Sequence, residues 1–182
     1  LTNLFFLAAI DRGDIALAMS HVQAGMLVMA VVAMLVGRRV IPFFAMRAVT
    51  GLQIPMHTAS GQWQLGAGAL AALCVLLQWT AGAAAALAVA GAITLWQLFA
   101  WQPWAVRGKP LLWILYIGYA ALGVGLLVGA AQQLGLVQRA AWSVHTIGVA
   151  GFAVLIIGMV TRTALGHLGR PLATDRSMVA SY

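Results

Sequence analysis

Five stretches of the chain are apolar for long enough to cross a membrane as helices, and the segments between them carry nearly all of its charge. A span needs about 20 apolar residues to cross a hydrocarbon core of ~30 Å. The runs cover residues 15–36, 63–79, 81–101, 111–131 and 141–161. The second is at the short limit. Runs two and three are separated only by Gln78-Trp79-Thr80-Ala81-Gly82, which predicts a tight helical hairpin. None of the runs alternates polar with apolar residues as a barrel strand does, so helices are the spanning elements. Leu4 to Ile10 is too short to span and reads as a partial helix ending at Asp11. The connection 37–62 holds Pro42, Gly51, Pro55 and Gly61, so a single helix over that stretch is not expected. Phe43, Phe44 and Met46 beside Arg47 suggest instead a short piece lying in the interface. The predicted fold is all-α: a polytopic transmembrane bundle of five full spans plus a partial N-terminal helix. It forms one membrane domain, with residues 162–182 as a cytoplasmic tail.

Composition narrows the class. Of 182 residues, 63% are apolar and 7% charged, too few charges to cover a water-soluble globule. A soluble enzyme, a nucleic-acid module, a disordered chain and a secreted scaffold are thereby excluded. The net charge of +7 comes from bases lying between apolar runs. Threading the runs in order puts Arg38, Arg39, Arg47, Arg107, Lys109, Arg162, Arg170 and Arg176 on one face, and only Arg12 and Arg139 on the other. By the positive-inside rule the basic face is cytoplasmic, the C-terminus is inside and the first full span starts outside. Trp63, Trp101, Trp104 and Trp113 at inner run ends, with Trp79 and Trp142 at outer ends, read as an interfacial belt. Trp96 falls within a run, where packing is its role. The sole cysteine, Cys74, permits no internal disulfide and reads as a small buried hydrophobe. The opening lacks a basic segment before an apolar stretch and a cleavage site, so no signal peptide is expected.

Candidate chemistry is sparse. There is no Glu, and Asp11, Asp14 and Asp175 all lie outside the runs, so no intramembrane carboxylate is available to relay protons. P-loop, GxSxG, HExxH and CxxC motifs are absent. The four histidines divide into an outer and an inner pair. His21 lies about 9 Å, and His145 about 6 Å, below the outer ends of their helices, a matched depth. Gly25 follows His21 at i+4 and Gly148 follows His145 at i+3, so each ring stands beside a bare patch of helix. Such clearance suits a flat macrocycle held by an axial imidazole, and it suits close helix packing equally. Neutral imidazole is a ligand for haem iron and copper; the alternative is a hydrogen bond to a backbone carbonyl or a neighbouring helix. A metal or haem shared by His21 and His145 requires the first and fifth spans to be neighbours. His57 and His167 fall in cytoplasmic segments. Met19, Met26, Met29 and Met34 read as gap-fillers before Cu(I) ligands. Gly125 and Gly129 form a GxxxG, and Gly148 and Gly151 stud the last run, as helix-packing faces require.

Three blocks resemble a known family. Gly37-Arg38-Arg39-Val40-Ile41-Pro42-Phe43-Phe44 is similar to the Gly-Arg-x-x-Pro-Phe-Phe signature of the NnrS family. Residues 110–115 with Gly118-Tyr119-Ala120 resemble its later helix. His145 to Gly148, followed by residues 161–171 (Thr161-Arg162-Thr163 through Leu165-Gly166-His167 to Arg170-Pro171), resemble its C-terminal signature. The resemblance implies a bacterial inner-membrane protein containing haem and copper, linked to nitric oxide and nitrosative stress. It implies binding of nitric oxide or a small ligand in place of a multi-step catalytic cycle. Family members are about twice as long, so this chain would correspond to the C-terminal half. The missing half, or partner helices, would then complete it. The family carries His just before the Gly-Tyr-Ala of the later helix; here Tyr116 stands two residues before Gly118, and Tyr also ligates haem iron. The metal-ligand candidates are His21 and His145, from their matched depth, and His167, from the C-terminal block; the identity of the cofactor rests on the resemblance. Tyr116, Arg162 and Arg170 are added for the cofactor, the arginines as partners for a propionate or a lipid phosphate. A transporter or channel half and a purely structural membrane subunit remain the competing readings. The bilayer is the expected partner, and nucleic acid is not.

Overall fold

The computed structural model describes residues 2–55, 57–139 and 141–168. All its regular elements are helical. They are α1 (Thr2–Asp11), α2 (Ile15–Ala48), α3 (Thr58–Leu76), α4 (Thr80–Ala100), a 3₁₀ turn (Pro103–Val106), α5 (Pro110–Gln133) and α6 (Ala141–His167). Four of them, α2, α4, α5 and α6, are long and apolar enough to cross a membrane. With 19 residues α3 has the length, but Ser60, Gln62 and Gln64 dilute its first turns.

The chain winds back and forth, so each long helix packs against the next: α2 on α3, α3 on α4, α4 on α5, α5 on α6. α2 closes back onto α5. The central helix is α5: 61% of its most apolar stretch is buried, against 17% for α6 and 28% for α2. Seams are built from small residues, as packing inside a bilayer demands where lipid supplies no hydrophobic drive. Ala71, Ala83 and Ala90 are fully buried. Gly125 lies directly under Ile147 of α6, and Gly151 under Leu122 of α5. The α3–α4 hairpin forms at the predicted place. Gln78 takes a left-handed φ of 55° there, and the Trp79 amide bonds back to the Cys74 carbonyl. Asp14 caps α2, its carboxylate accepting from the Leu17 amide at 2.9 Å.

Two expectations are corrected. Pro42 does not end the first long helix, which continues for 34 residues to Ala48, so Phe43, Phe44, Met46 and Arg47 belong to it and form no separate interfacial piece. A proline costs its helix the bond to the carbonyl four residues back, that of Arg38, but its φ is helical, and burial of Ile41, Pro42 and Ala45 holds the continuation. The connection to α3 is correspondingly short, Val49 to His57. Trp101 is not an interfacial anchor: it is buried, its ring 4.9 Å from that of Tyr119.

Within α6 the stretch Thr146–Ala153 is a π-helix, wound more loosely than the α-helical turns on either side. Beyond it, α2 and α6 diverge around an apolar groove of about 440 Å³, with Val36 on one wall, Phe152 and Ile156 on the other and Leu115 at its floor.

Candidate functional site: a buried polar layer and the histidines

Helices α2, α4 and α5 change character at one level. An alanine-rich core toward the α3–α4 hairpin holds Ala30 and Met34 of α2, Ala90 of α4 and Leu122 of α5; an aromatic core toward the basic end holds Ile41, Leu98, Trp101 and Tyr116. Between them lies a polar layer: Arg38, Gln64, Thr94, Gln97 and Tyr119. Counted from the basic ends of their helices these residues lie about 5–15 Å deep, at the helical rise of 1.5 Å per residue.

The layer is a directed hydrogen-bond chain. Gln64 Nε2 donates to Thr94 Oγ1 at 2.7 Å and to the Tyr119 hydroxyl at 2.9 Å. Tyr119 donates to Gln97 Oε1 at 2.9 Å, and Gln97 Nε2 reaches Ser60 Oγ at 3.4 Å. Thr94 donates to the Ala90 carbonyl at 2.7 Å. Gln64, Thr94 and Tyr119 are fully buried. Two glycines make the room. A Cβ on Gly37 would stand 2.9 Å from the Tyr119 ring, and one on Gly61 would occupy the place of the Arg38 guanidinium. Two buried polar atoms of the layer have no partner, Arg38 Nη1 and Gln64 Oε1. Arg38 also lines a vestibule of about 510 Å³ at the basic end, together with Arg39, His57, Gln97 and Trp101. The His57 ring lies 5.1 Å from that of Trp96, which is half exposed.

The residues singled out from the sequence are spread along the bundle. His21 is half-buried near the start of α2, and its Nδ1 donates to the Leu17 carbonyl at 2.7 Å. That bond fixes the tautomer in which Nε2 carries the lone pair. His145 is exposed at the start of the π-helix; Ser143 and Ile147, two positions to either side, face the bundle. A Cβ on Gly148 would meet open space. The apolar groove between α2 and α6 begins at Met29, about 12 Å along α2 from His21. Tyr116 is buried and donates to the Trp101 carbonyl at 3.0 Å. Arg162 is buried with its guanidinium 4.2 Å above the Phe44 ring, a cation–π contact that ties α6 to the C-terminal end of α2. His167 is exposed at the end of α6, and Arg170 lies outside the described residues. Met34 packs fully buried, its sulfur 3.5 Å from Thr94 Oγ1, while Met29 is exposed. Among the described residues no three of His, Cys, Asp and Glu gather as a metal site would need.

The polar layer is not evident in the sequence, because apart from Arg38 its members are uncharged amide and hydroxyl side chains. A usable signal existed: Gln64, Thr94 and Gln97 interrupt apolar runs, and Thr94 and Gln97 are three apart, on one helix face.

For haem, the residues present fit at one point. An imidazole whose Nδ1–H is held by a backbone carbonyl is the form that ligates iron through Nε2, and His21 has it. For copper, the described His, Cys and Asp side chains of this chain do not assemble a closed ligand set. Comparison with known proteins adds one result: no curated protein and no solved structure matches the chain, but a family model, described as NnrS protein, matches it over residues 1–182. The chain therefore belongs to the NnrS family.

Proposed function

We propose that this chain is the membrane-embedded haem- and metal-binding part of a protein that responds to nitric oxide or nitrosative stress, in the inner membrane of a bacterium. Family membership over the whole chain carries this reading. Supporting it is the hydrogen bond from His21 Nδ1 to the Leu17 carbonyl, the tautomer an axial ligand requires. Haem, when bound, supplies an iron that takes up small diatomic ligands. The protein's own contribution is to orient His21 and keep its surroundings apolar, as the flanking buried Ala18 and Ala24 do. His145 and His167, exposed on α6, are the further ligands of this reading. Tyr116, bonded to the Trp101 carbonyl, is a weaker candidate than His21.

An optical spectrum tests the reading. The purified chain should show a Soret band, and His21→Ala should lower it severalfold at unchanged membrane level. A folded protein without a Soret band would leave the transporter or channel half and the structural subunit, the latter of which the glycine seams also suit.

We place α3 as a fifth span, because it packs between α2 and α4, both long enough to cross. The C-terminus is then cytoplasmic. A reporter fused at Tyr182 should read inside and one inserted between Gln132 and Gln138 outside; the same side for both would mean that α6 does not cross.

A further inference from the structure

We infer that the apolar groove between α2 and α6 seats one acyl chain of an anionic phospholipid, whose phosphate is held by Arg162 at the groove's basic end. The inference requires neither haem nor a choice of which membrane face is cytoplasmic. It begins from the shape of the groove. Its α2 wall runs from Met29 to Val40, about 16 Å by helical rise, and its α6 wall from Phe152 to Val160, about 12 Å. Half of a ~30 Å hydrocarbon core is about 15 Å, the depth that the chains of one leaflet fill. No residue lining the groove is polar. Ile41 and Leu115 in its depth are fully buried, whereas Val36 on one rim and Ile156 and Val160 on the other are exposed. The groove therefore opens sideways, toward lipid.

Charge selects the headgroup. Arg162 stands two residues beyond Val160, and its guanidinium reaches across to the ring of Phe44, four residues beyond Val40. It thus bridges α6 and α2 where the groove ends. The residue is only 8% exposed, yet among the described residues its guanidinium makes no hydrogen bond. Unlike Arg38 Nη1, its nitrogens are not sealed from outside. A largely desolvated guanidinium with unused donors is costly, and a phosphate oxygen accepting from it offsets that cost. A second cation stands near: Arg47 lies 5.0 Å over the Phe43 ring, whose centre is 5.6 Å from that of Phe44. Two cations at the end of an apolar slot match an anion carried on a hydrocarbon chain, whereas a zwitterionic headgroup brings a cation of its own to the same place. Of the two anions considered for Arg162, propionate and lipid phosphate, the groove favours the second. No histidine lines it, and the thioethers of Met29 and Met159 stand at opposite ends, so a haem seated there lacks an axial pair. A helix about 10 Å across and of the same length as the α6 wall occupies roughly 900 Å³, about twice the 440 Å³ of the groove.

The test counts bound lipid by native mass spectrometry on the full chain, purified in a neutral maltoside detergent and mixed with phosphatidylglycerol or phosphatidylcholine of identical acyl chains. One phosphatidylglycerol should stay bound, at least tenfold more tightly than phosphatidylcholine. Arg162→Gln should bring the ratio of the two close to one. Arg107→Gln, at an exposed position on the connection between α4 and α5, should leave the ratio unchanged. Val36→Trp, on the exposed rim, fills the groove and should release the lipid, and it carries the test if Arg162→Gln does not fold. Glycerol phosphate, which offers the anion without the chains, should not compete. Equal retention of the two lipids by the unaltered chain would overturn the inference. So would lipid retention that survives Val36→Trp, displacement by glycerol phosphate, or a bound mass that Val36→Trp removes but that equals one haem or a second copy of the chain.

Discussion

Gly125→Leu should detach α6 from α5 and remove the protein from the membrane fraction. A Cβ at this position would lie 2.5 Å from Ile147 Cγ1 and 3.0 Å from the Ile147 backbone nitrogen, so relief requires the helix itself to move. Overpacking of this kind costs about 1–3 kcal/mol for added methylenes, and a leucine adds several. The neighbouring glycines grade the expectation. Gly129 would meet Leu87 at 3.5 Å and Ser143 at 3.8 Å, ordinary contact, so Gly129→Ala should be close to neutral. Gly148→Ala points into open space and should gain up to about 1 kcal/mol of helix propensity. Denaturation in mixed micelles should rank the three in that order; a flat series would mean that α5 and α6 do not meet at Gly125.

Tyr119→Phe should be the most destabilising removal of a single oxygen atom in the chain. Its hydroxyl accepts from Gln64 and donates to Gln97 with no water access, so the change strands a donor and an acceptor together. Each stranded buried group costs about 1–3 kcal/mol. Tyr116→Phe loses one bond, to the Trp101 carbonyl, and should cost about half as much. Combining Tyr119→Phe with Gln64→Leu should be less than additive, because the second change removes the donor stranded by the first. Strict additivity would show that the two side chains do not share a bond.

Much of the architecture was readable from spacing. The hairpin at Gln78 follows from a break too brief for anything else, and the small residues at Gly125 and Gly151 fell where helices meet. Pro42 misled because proline is judged by the bond it removes, while the packing of Ile41 and Ala45 that outweighs the loss is tertiary. Trp101 misled for a related reason: position at a run's end says nothing about which side of the helix faces Tyr119. The histidines were visible as residues, but whether a ring looks inward depends on angular phase along α6, which the π-helix alters. The polar layer was hidden because amides and a threonine carry no charge to attract notice, and their importance arises only when three helices bring them to one depth.

That loosened turn in α6 has a consequence for how its two ends relate. In an α-helix a step of four residues overshoots a full turn by about 40°, so a stripe of contacts at that spacing drifts around the axis. Ser143, Ile147, Gly151 and Leu155 are spaced by fours, and each of Ser143, Ile147, Gly151 and Leu155 meets α5 or a side chain it carries. The wide turns between Thr146 and Ala153 wind the stripe back and hold it against a nearly straight neighbour. Loss of one residue within the stretch would restore ordinary winding and swing the outer third of the helix by about 100° relative to Arg162. The two ends of α6 are thus indexed separately, like two dials on one shaft, and His145 can be re-aimed without disturbing the Arg162–Phe44 contact.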